Sequence, residues 1–204
     1  MTDNALLIDA GTGNLHSVHN ALTALGLRVR VSSNPDDLSQ PGRIVLPGVG
    51  AFGSFMQGLR QRGLVEPLTA AFRRGDPLLG ICVGMQALFQ ISEEMGEHTG
   101  LGLLDGRVIH FPPFRDLKVP HTGWNQLWFT GGSPLFQGLA PGCYAYFNHS
   151  YYCANQNGAD AAARTDYGLE FTSAVQRGNL FGVQFHPEKS QRVGLRVLEN
   201  FFKV

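Results

Sequence analysis

The chain has 204 residues, 43% hydrophobic and only 16% charged, with 16 basic and 16 acidic side chains and 26 glycines. This is the composition of a folded globular chain, not a disordered or fibrous one. The absence of a basic surplus argues against nucleic acid or an anionic membrane as partner. The start, "MTDNALLID", lacks the basic n-region and apolar h-region of a signal peptide, and no apolar run approaches the roughly 20 residues of a membrane span. Three cysteines, Cys82, Cys143 and Cys153, make an odd count that suits a reducing cytoplasm. A Cys143–Cys153 disulfide is open on paper and disfavoured by the same compartment argument.

In chain order, "ALLID" (5–9) reads as a buried strand, followed by a helix over 14–26 with Asn14 as N-cap and Gly26 as stop. "RVRVSS" (28–33) alternates as a strand, and "RIVLPG" (43–48) is a short apolar strand ending on Pro-Gly. Helical stretches follow near 53–61 and 64–74. "PLLGI" (77–81) is the next strand, and "GMQALFQIS" (84–92) reads as a helix. Strands alternating with helices predict a mainly parallel sheet flanked by helices. The second half differs. "GRVIHFP", "NQLWF", "CYAYFNHSYYC", "ADAAART", "FTSAVQRGN" and "LFGVQFHP" read as short strands between turns, which predicts added antiparallel strands. "GLRVLENFF" (194–202) returns to helical spacing. No repeat or linker divides the chain, so one domain is expected over 1–204.

Three stretches carry chemistry. In Gly80-Ile81-Cys82-Val83-Gly84 a strand precedes and a helix follows, the setting of a nucleophile elbow with cysteine in place of serine. Glycines relieve crowding around a strained turn, and a helix N-terminus beside sulfur favours thiolate. In "FGVQFHPEKS" (181–190), His186 ends an apolar strand that Pro187 stops. Glu188, two residues on, can return to the same side and orient the imidazole. Cys82, His186 and Glu188 thus form a nucleophile–base–orienter set. Acyl transfer also needs an oxyanion hole. The glycine-dense "LPGVGAFG" (46–53) offers the N–H groups of Gly48, Val49 or Gly50, to be joined by that of Val83.

"PGVG", "GICVGMQ" and "QFHPEKS", in this order and spacing, resemble the class I (triad) glutamine amidotransferases over nearly the whole chain. "KVPHTGWN" (118–125) and "NHSYY" (148–152) resemble, within that class, the glutaminase-subunit family of imidazole glycerol phosphate synthase. The resemblance implies a flavodoxin-like α/β fold and hydrolysis of glutamine to glutamate and ammonia without metal or cofactor. It implies attack by Cys82 on the side-chain amide, proton transfer by His186 and orientation of His186 by Glu188. Gln86 and Glu94, the latter a turn or two beyond the elbow helix, match positions that hold the α-amino and α-carboxylate end. Ser150 and Tyr151 match another substrate-binding stretch, acting partly through backbone. Gly48 and Gly50 match the oxyanion strand.

The resemblance also implies a partner, a (β/α)₈-barrel cyclase subunit that receives the ammonia and makes imidazole glycerol phosphate and an aminoimidazole carboxamide ribonucleotide in histidine biosynthesis. Trp124, Tyr146 and Lys189 match interface positions. The family's glutaminase is nearly silent without its partner's ligand. The expectation is that the Val49 peptide must rotate, with "DAGTGNL" (9–15) holding the resting form near Thr12. Asn148 stands where relatives often carry Val, which bears on interface packing.

Rival readings are a glutaminase subunit feeding another acceptor such as a sugar nucleotide, a cysteine peptidase on the same scaffold, and an inert binding module. "GTGNLH" (11–16) fails as a dinucleotide loop, since His16 stands in the third glycine's place and no acid ends the second strand. The histidines and cysteines show no compact zinc spacing.

Overall fold

The computed structural model describes residues 4–154, 158 and 160–204. The first half alternates as expected, in the order β1 (Asn4–Ile8), α1 (Leu15–Ala24), β2 (Arg28–Ser32), β3 (Arg43–Gly48), α2 (Phe52–Gln61), α3 (Val65–Arg74) and β4 (Leu78–Cys82). β1 pairs in parallel with β2 and β3, and β3 with β4. Every residue of β4 is buried, as a strand covered on both faces requires. α2 buries Phe52, Phe55, Met56 and Leu59, a stripe at helical spacing. Each such side chain taken fully from water contributes about 1.5–3 kcal/mol.

The largest departure from expectation follows β4. The predicted helix over 84–92 is a single turn, α4 (Val83–Gln86), and then a strand, β5 (Phe89–Ser92). A uniformly apolar run has no periodicity to tell helix from strand. Tertiary contact decides: the Leu101 N–H donates to Ala87 O at 2.7 Å, the Gly100 N–H donates to Gln90 O at 2.8 Å, and β5 lies beside a later strand.

The chain continues with β6 (His98–Thr99), β7 (Leu104–His110), β8 (His121–Phe129), β9 (Cys143–His149), β10 (Tyr151–Ala154), β11 (Ala161–Asp166), β12 (Glu170–Arg177), β13 (Leu180–Val183) and α5 (Gln191–Phe201). β13 inserts in parallel beside β4, so the sequence-distant "LFGV" completes the parallel set β2-β1-β3-β4-β13. Beyond it the order runs β12-β10-β7-β5-β6, with only β5/β7 parallel. β11 pairs with β12 and β8, and β8 with β9, all antiparallel. The sheet is therefore mixed: parallel from its β2 edge through β13, and mainly antiparallel beyond. The expected strand 180–187 ends early, at Val183. Gln184 still donates its N–H to Ser173 O, but the His186 N–H turns away to Tyr146 O of β9, at 2.9 Å in both cases. The expected "ADAAART" strand begins within it, at Ala161; its Ala159 lies outside the described residues.

All three cysteines are free. Among the described residues no helix is long and apolar enough to cross a membrane.

Candidate active site

Cys82 is the last residue of β4 and holds φ 55°, ψ −111°, a conformation that a non-glycine residue adopts only when its surroundings impose it. Packing explains the flanking glycines. A Cβ at Gly84 would lie 1.8 Å from the Leu46 carbonyl oxygen, and one at Gly80 2.6 Å from the Gly84 oxygen. Three backbones meet at the elbow, and only the absence of side chains lets them. Since α4 is one turn long, it supplies little of the helix dipole that the sequence suggested.

His186 reaches the same point from the far side of β13. Its Nδ1 lies 2.9 Å from Glu188 Oε1, and it lines the same cleft as Cys82, close enough for the two to interact electrostatically. Burial works against a charged imidazole here. The interactions with Cys82 and Glu188 outweigh it and raise His186 to about 10. The arrangement favours imidazolium between sulfur and carboxylate. Backbone contacts fix the ring: Ser190 Oγ donates to His186 O at 2.6 Å and accepts from the Tyr146 N–H at 2.9 Å.

A cleft of about 500 Å³ opens over Cys82 and His186. Its walls bring together Val49, Gly50, Val83, Gln86, Glu94, Ser150, Tyr151 and Lys189, all singled out by the sequence. Gly48 pairs with Cys82 across β3 and β4, behind the wall, and a Cβ there would meet Phe55 at 2.7 Å. Gly50 sits at φ +85° in open space, so conformation and not crowding calls for glycine.

Several expected substrate residues have structural duties as well. Gln86 is buried, and its Nε2 donates to Tyr151 O and to Gln184 Oε1, both at 3.1 Å. Glu94 lies past β5, not on a continued helix. Its Oε2 accepts the Phe52 N–H at 2.6 Å, at the start of α2, where a carboxylate is favoured. The Ser150 carbonyl accepts from Phe111 N–H at 3.0 Å. Both carbonyls of the Ser150–Tyr151 stretch thus serve the frame.

Asn14, not Thr12, lines the cleft, while Thr12 faces a separate hollow with Gln57 and Arg62. Asn148 accepts from Thr122 Oγ1 at 3.1 Å across β8 and β9, so the polar residue has a local partner.

Trp124 and Tyr146 pair across the same two strands, with rings 6.0 Å apart and edge-to-face, and Lys189 Nζ lies 5.7 Å from the Tyr146 ring centre. Trp124 is 46% exposed and lines a separate hollow with Tyr144 and Ser190, joined along the face by Trp128 at 50% and Tyr144 at 53%. Those last two were missed by sequence reading; period-2 alternation along β8 and β9 was the available signal. Also missed were Gln184, whose Nε2 lies 3.7 Å from Cys82 Sγ, and the buried pair His121 and His149 at 3.0 Å. Two positions before His186 on extended chain, Gln184 shares its side, a signal present in "VQFH".

An α/β sheet that carries a cysteine elbow at its centre, with a histidine–glutamate pair delivered by the neighbouring strand, defines an amidotransferase-type hydrolytic domain. The profile of class-I glutamine amidotransferases matches residues 6–204. The imidazole glycerol phosphate synthase subunit HisH of Moorella thermoacetica is 50% identical over 195 residues, covering 96% of this chain and 92% of that protein. The subunit of the same name from Aquifex aeolicus is 47% identical over 197 residues, covering 96% and 94%. Among solved structures, a glutamine amidotransferase shares the fold with a TM-score of 0.76 at 20% identity, covering 97% of each chain. The chain belongs to the class-I glutamine amidotransferases, in the branch of these HisH subunits.

Proposed function

We propose that this chain is the glutaminase subunit of an imidazole glycerol phosphate synthase, hydrolysing L-glutamine through Cys82, His186 and Glu188. The observation that carries the reading is His186, hydrogen-bonded to Glu188, sharing one cleft with Cys82, which sits on a strained turn. Cys82 attacks the side-chain amide carbon. Negative charge gathers on the amide oxygen, toward the N–H groups of the Gly48–Val49–Gly50 strand and of Val83. His186 gives its proton to the leaving ammonia, then takes one from the water that cleaves the thioester. Glu188 keeps the proton of Nδ1 in place throughout. Gln86, Glu94, Ser150 and Tyr151 grip the amino-acid end of the substrate.

Ammonia passes to a (β/α)₈-barrel cyclase that docks over Trp124, Tyr146 and Lys189. Support for this comes from the exposed aromatic face of β8 and β9, whose Tyr146 lies against the cleft residue Lys189, and which a lone chain would leave in water. The test is glutamate release by the chain alone and with a purified cyclase subunit and its nucleotide. Wild type is expected to turn over with the partner present, and Cys82→Ala to lose at least about 10³-fold. No glutamate from wild type under either condition would remove the assignment; activity retained in Cys82→Ala would remove the nucleophile.

A further inference from the structure

We propose that Gln184 is a further catalytic residue, its side-chain amide donating to the Cys82 sulfur and held in that one orientation by Gln86. Gln184 is fully buried one strand-step from His186, and its Nε2 lies 3.7 Å from Sγ. An amide has a donor end and an acceptor end of nearly equal shape, so what matters is which end faces sulfur. The surrounding bonds decide this from one fixed point, the carbonyl of Tyr151. A carbonyl only accepts. Gln86 must therefore present its NH₂ group to Tyr151 O, 3.1 Å away. The second hydrogen of that NH₂ points to Gln184, which must answer with its oxygen, at 3.1 Å. That leaves the Gln184 NH₂ for the sulfur. A flipped Gln184 would set NH₂ against NH₂ on one side and oxygen against the sulfur lone pairs on the other, both in a buried site.

The same carbonyl fixes a second chain. His149 Nδ1 lies 2.8 Å from Tyr151 O and must carry the proton there. Its Nε2 then accepts from His121 Nδ1 at 3.0 Å, and His121 Nε2 accepts from Asn125 Nδ2 at 3.3 Å. Burial keeps both rings neutral, His121 pushed down to about 4 and His149 to about 3. The Tyr151 peptide is thus pinned from two sides, and cannot turn away to free Gln86. The backbone of Gln184 is tied as well, its N–H donating to Ser173 O at 2.9 Å. The sulfur has two polar neighbours of different kinds. One, His186, gives up its proton during turnover. The other, Gln184, does not, and continues to favour sulfur as an anion when it departs from the thioester.

The inference rests on Cys82 as the nucleophile, so its test reads the sulfur directly. Iodoacetamide alkylation at neutral pH, resolved cysteine by cysteine by peptide mass spectrometry, is compared in wild type, Gln184→Met, Gln184→Glu and Gln86→Met, each checked for fold by circular dichroism. Gln184→Met keeps the volume and removes the donor. Cys82 alkylation is expected to slow roughly tenfold, with kcat for glutamine falling in step and KM changing by less than about threefold. Gln184→Glu, with like charge against sulfur, slows it further, and Gln86→Met gives a smaller loss through the released amide. Cys143 serves as the internal control and keeps its rate. Alkylation of Cys82 at the wild-type rate in folded Gln184→Met overturns the proposal; if that variant does not fold, the wild-type rate in Gln86→Met does so. Slowed alkylation in a chain whose wild type never hydrolyses glutamine would sink the glutaminase reading and leave this one standing.

Discussion

Cys82 pairs an unfavourable backbone conformation with a favourable electrostatic one. Holding φ 55° on a non-glycine residue costs on the order of 1–3 kcal/mol, which the packed strands on either side offset. The histidines around it fall into two opposite groups, and this makes a testable prediction at residue scale. His186 is raised to about 10, so between its unfolded value of 6.5 and 10 the folded chain holds more protons than the unfolded chain. That stabilisation is complete below 6.5 and is lost as pH rises toward 10. His121 and His149 are lowered to about 4 and 3, so below 6.5 the unfolded chain holds more protons, and stability falls as pH drops toward those values. The urea midpoint is expected to peak near neutrality and fall on both sides. In His149→Gln the acid limb should become shallower while the alkaline limb stays. An unchanged acid limb would show that the buried pair is not its source.

At the scale of elements, the elbow is an intersection of β3, β4 and α4 that tolerates no Cβ. Gly84→Ala would drive a methyl into the Leu46 carbonyl, where backbone and not a flexible side chain must give way. The expected cost is about 3 kcal/mol or more. Gly132→Ala, with nothing within 4 Å, is expected within about 0.5 kcal/mol of wild type. Denaturant midpoints of the two variants check the contrast; equal midpoints would mean that the elbow can relax. The junction of β9 with the start of α5 is a second intersection. There Ser190 ties the backbone of His186 to that of Tyr146, so a residue of the exposed β8–β9 face and the histidine beside Cys82 share one short hydrogen-bonded unit.

For the molecule as a whole, the face formed by β8 and β9 matters most. Trp124, Trp128 and Tyr144 stand exposed on it, and Lys189 lies over Tyr146 at the cleft mouth. Exposed aromatics with a cation at their edge have the make-up of binding hot spots. Trp124→Ala is expected to weaken association with the cyclase subunit by about 2 kcal/mol, roughly 30-fold in Kd, measured by calorimetric titration. Unaltered affinity would move the docking face elsewhere.

The parallel half of the sheet, the cysteine elbow, the His-Pro-Glu turn and the glycine-dense turn after β3 were all legible in the sequence. Each is a local pattern, either an apolar strand ending on turn residues or reactive groups at fixed short spacing. "KVPHTGWN" and "NHSYY" were legible as signatures, but the physical reason for their histidines was not. His121 and His149 meet only because β8 and β9 pair in register. The helix expected over 84–92 failed because a uniformly apolar run has no period, and the strand partner that claims it lies 15 residues downstream. The orientation of Gln184 could not be read at all. It depends on a carbonyl from β10, an amide from α4 and a sulfur from β4, three points that only the folded sheet brings within hydrogen-bond reach. Sequence by itself determined which chemistry the chain carries. Tertiary structure decided which way its buried polar groups face, since that choice is made by partners far apart along the chain.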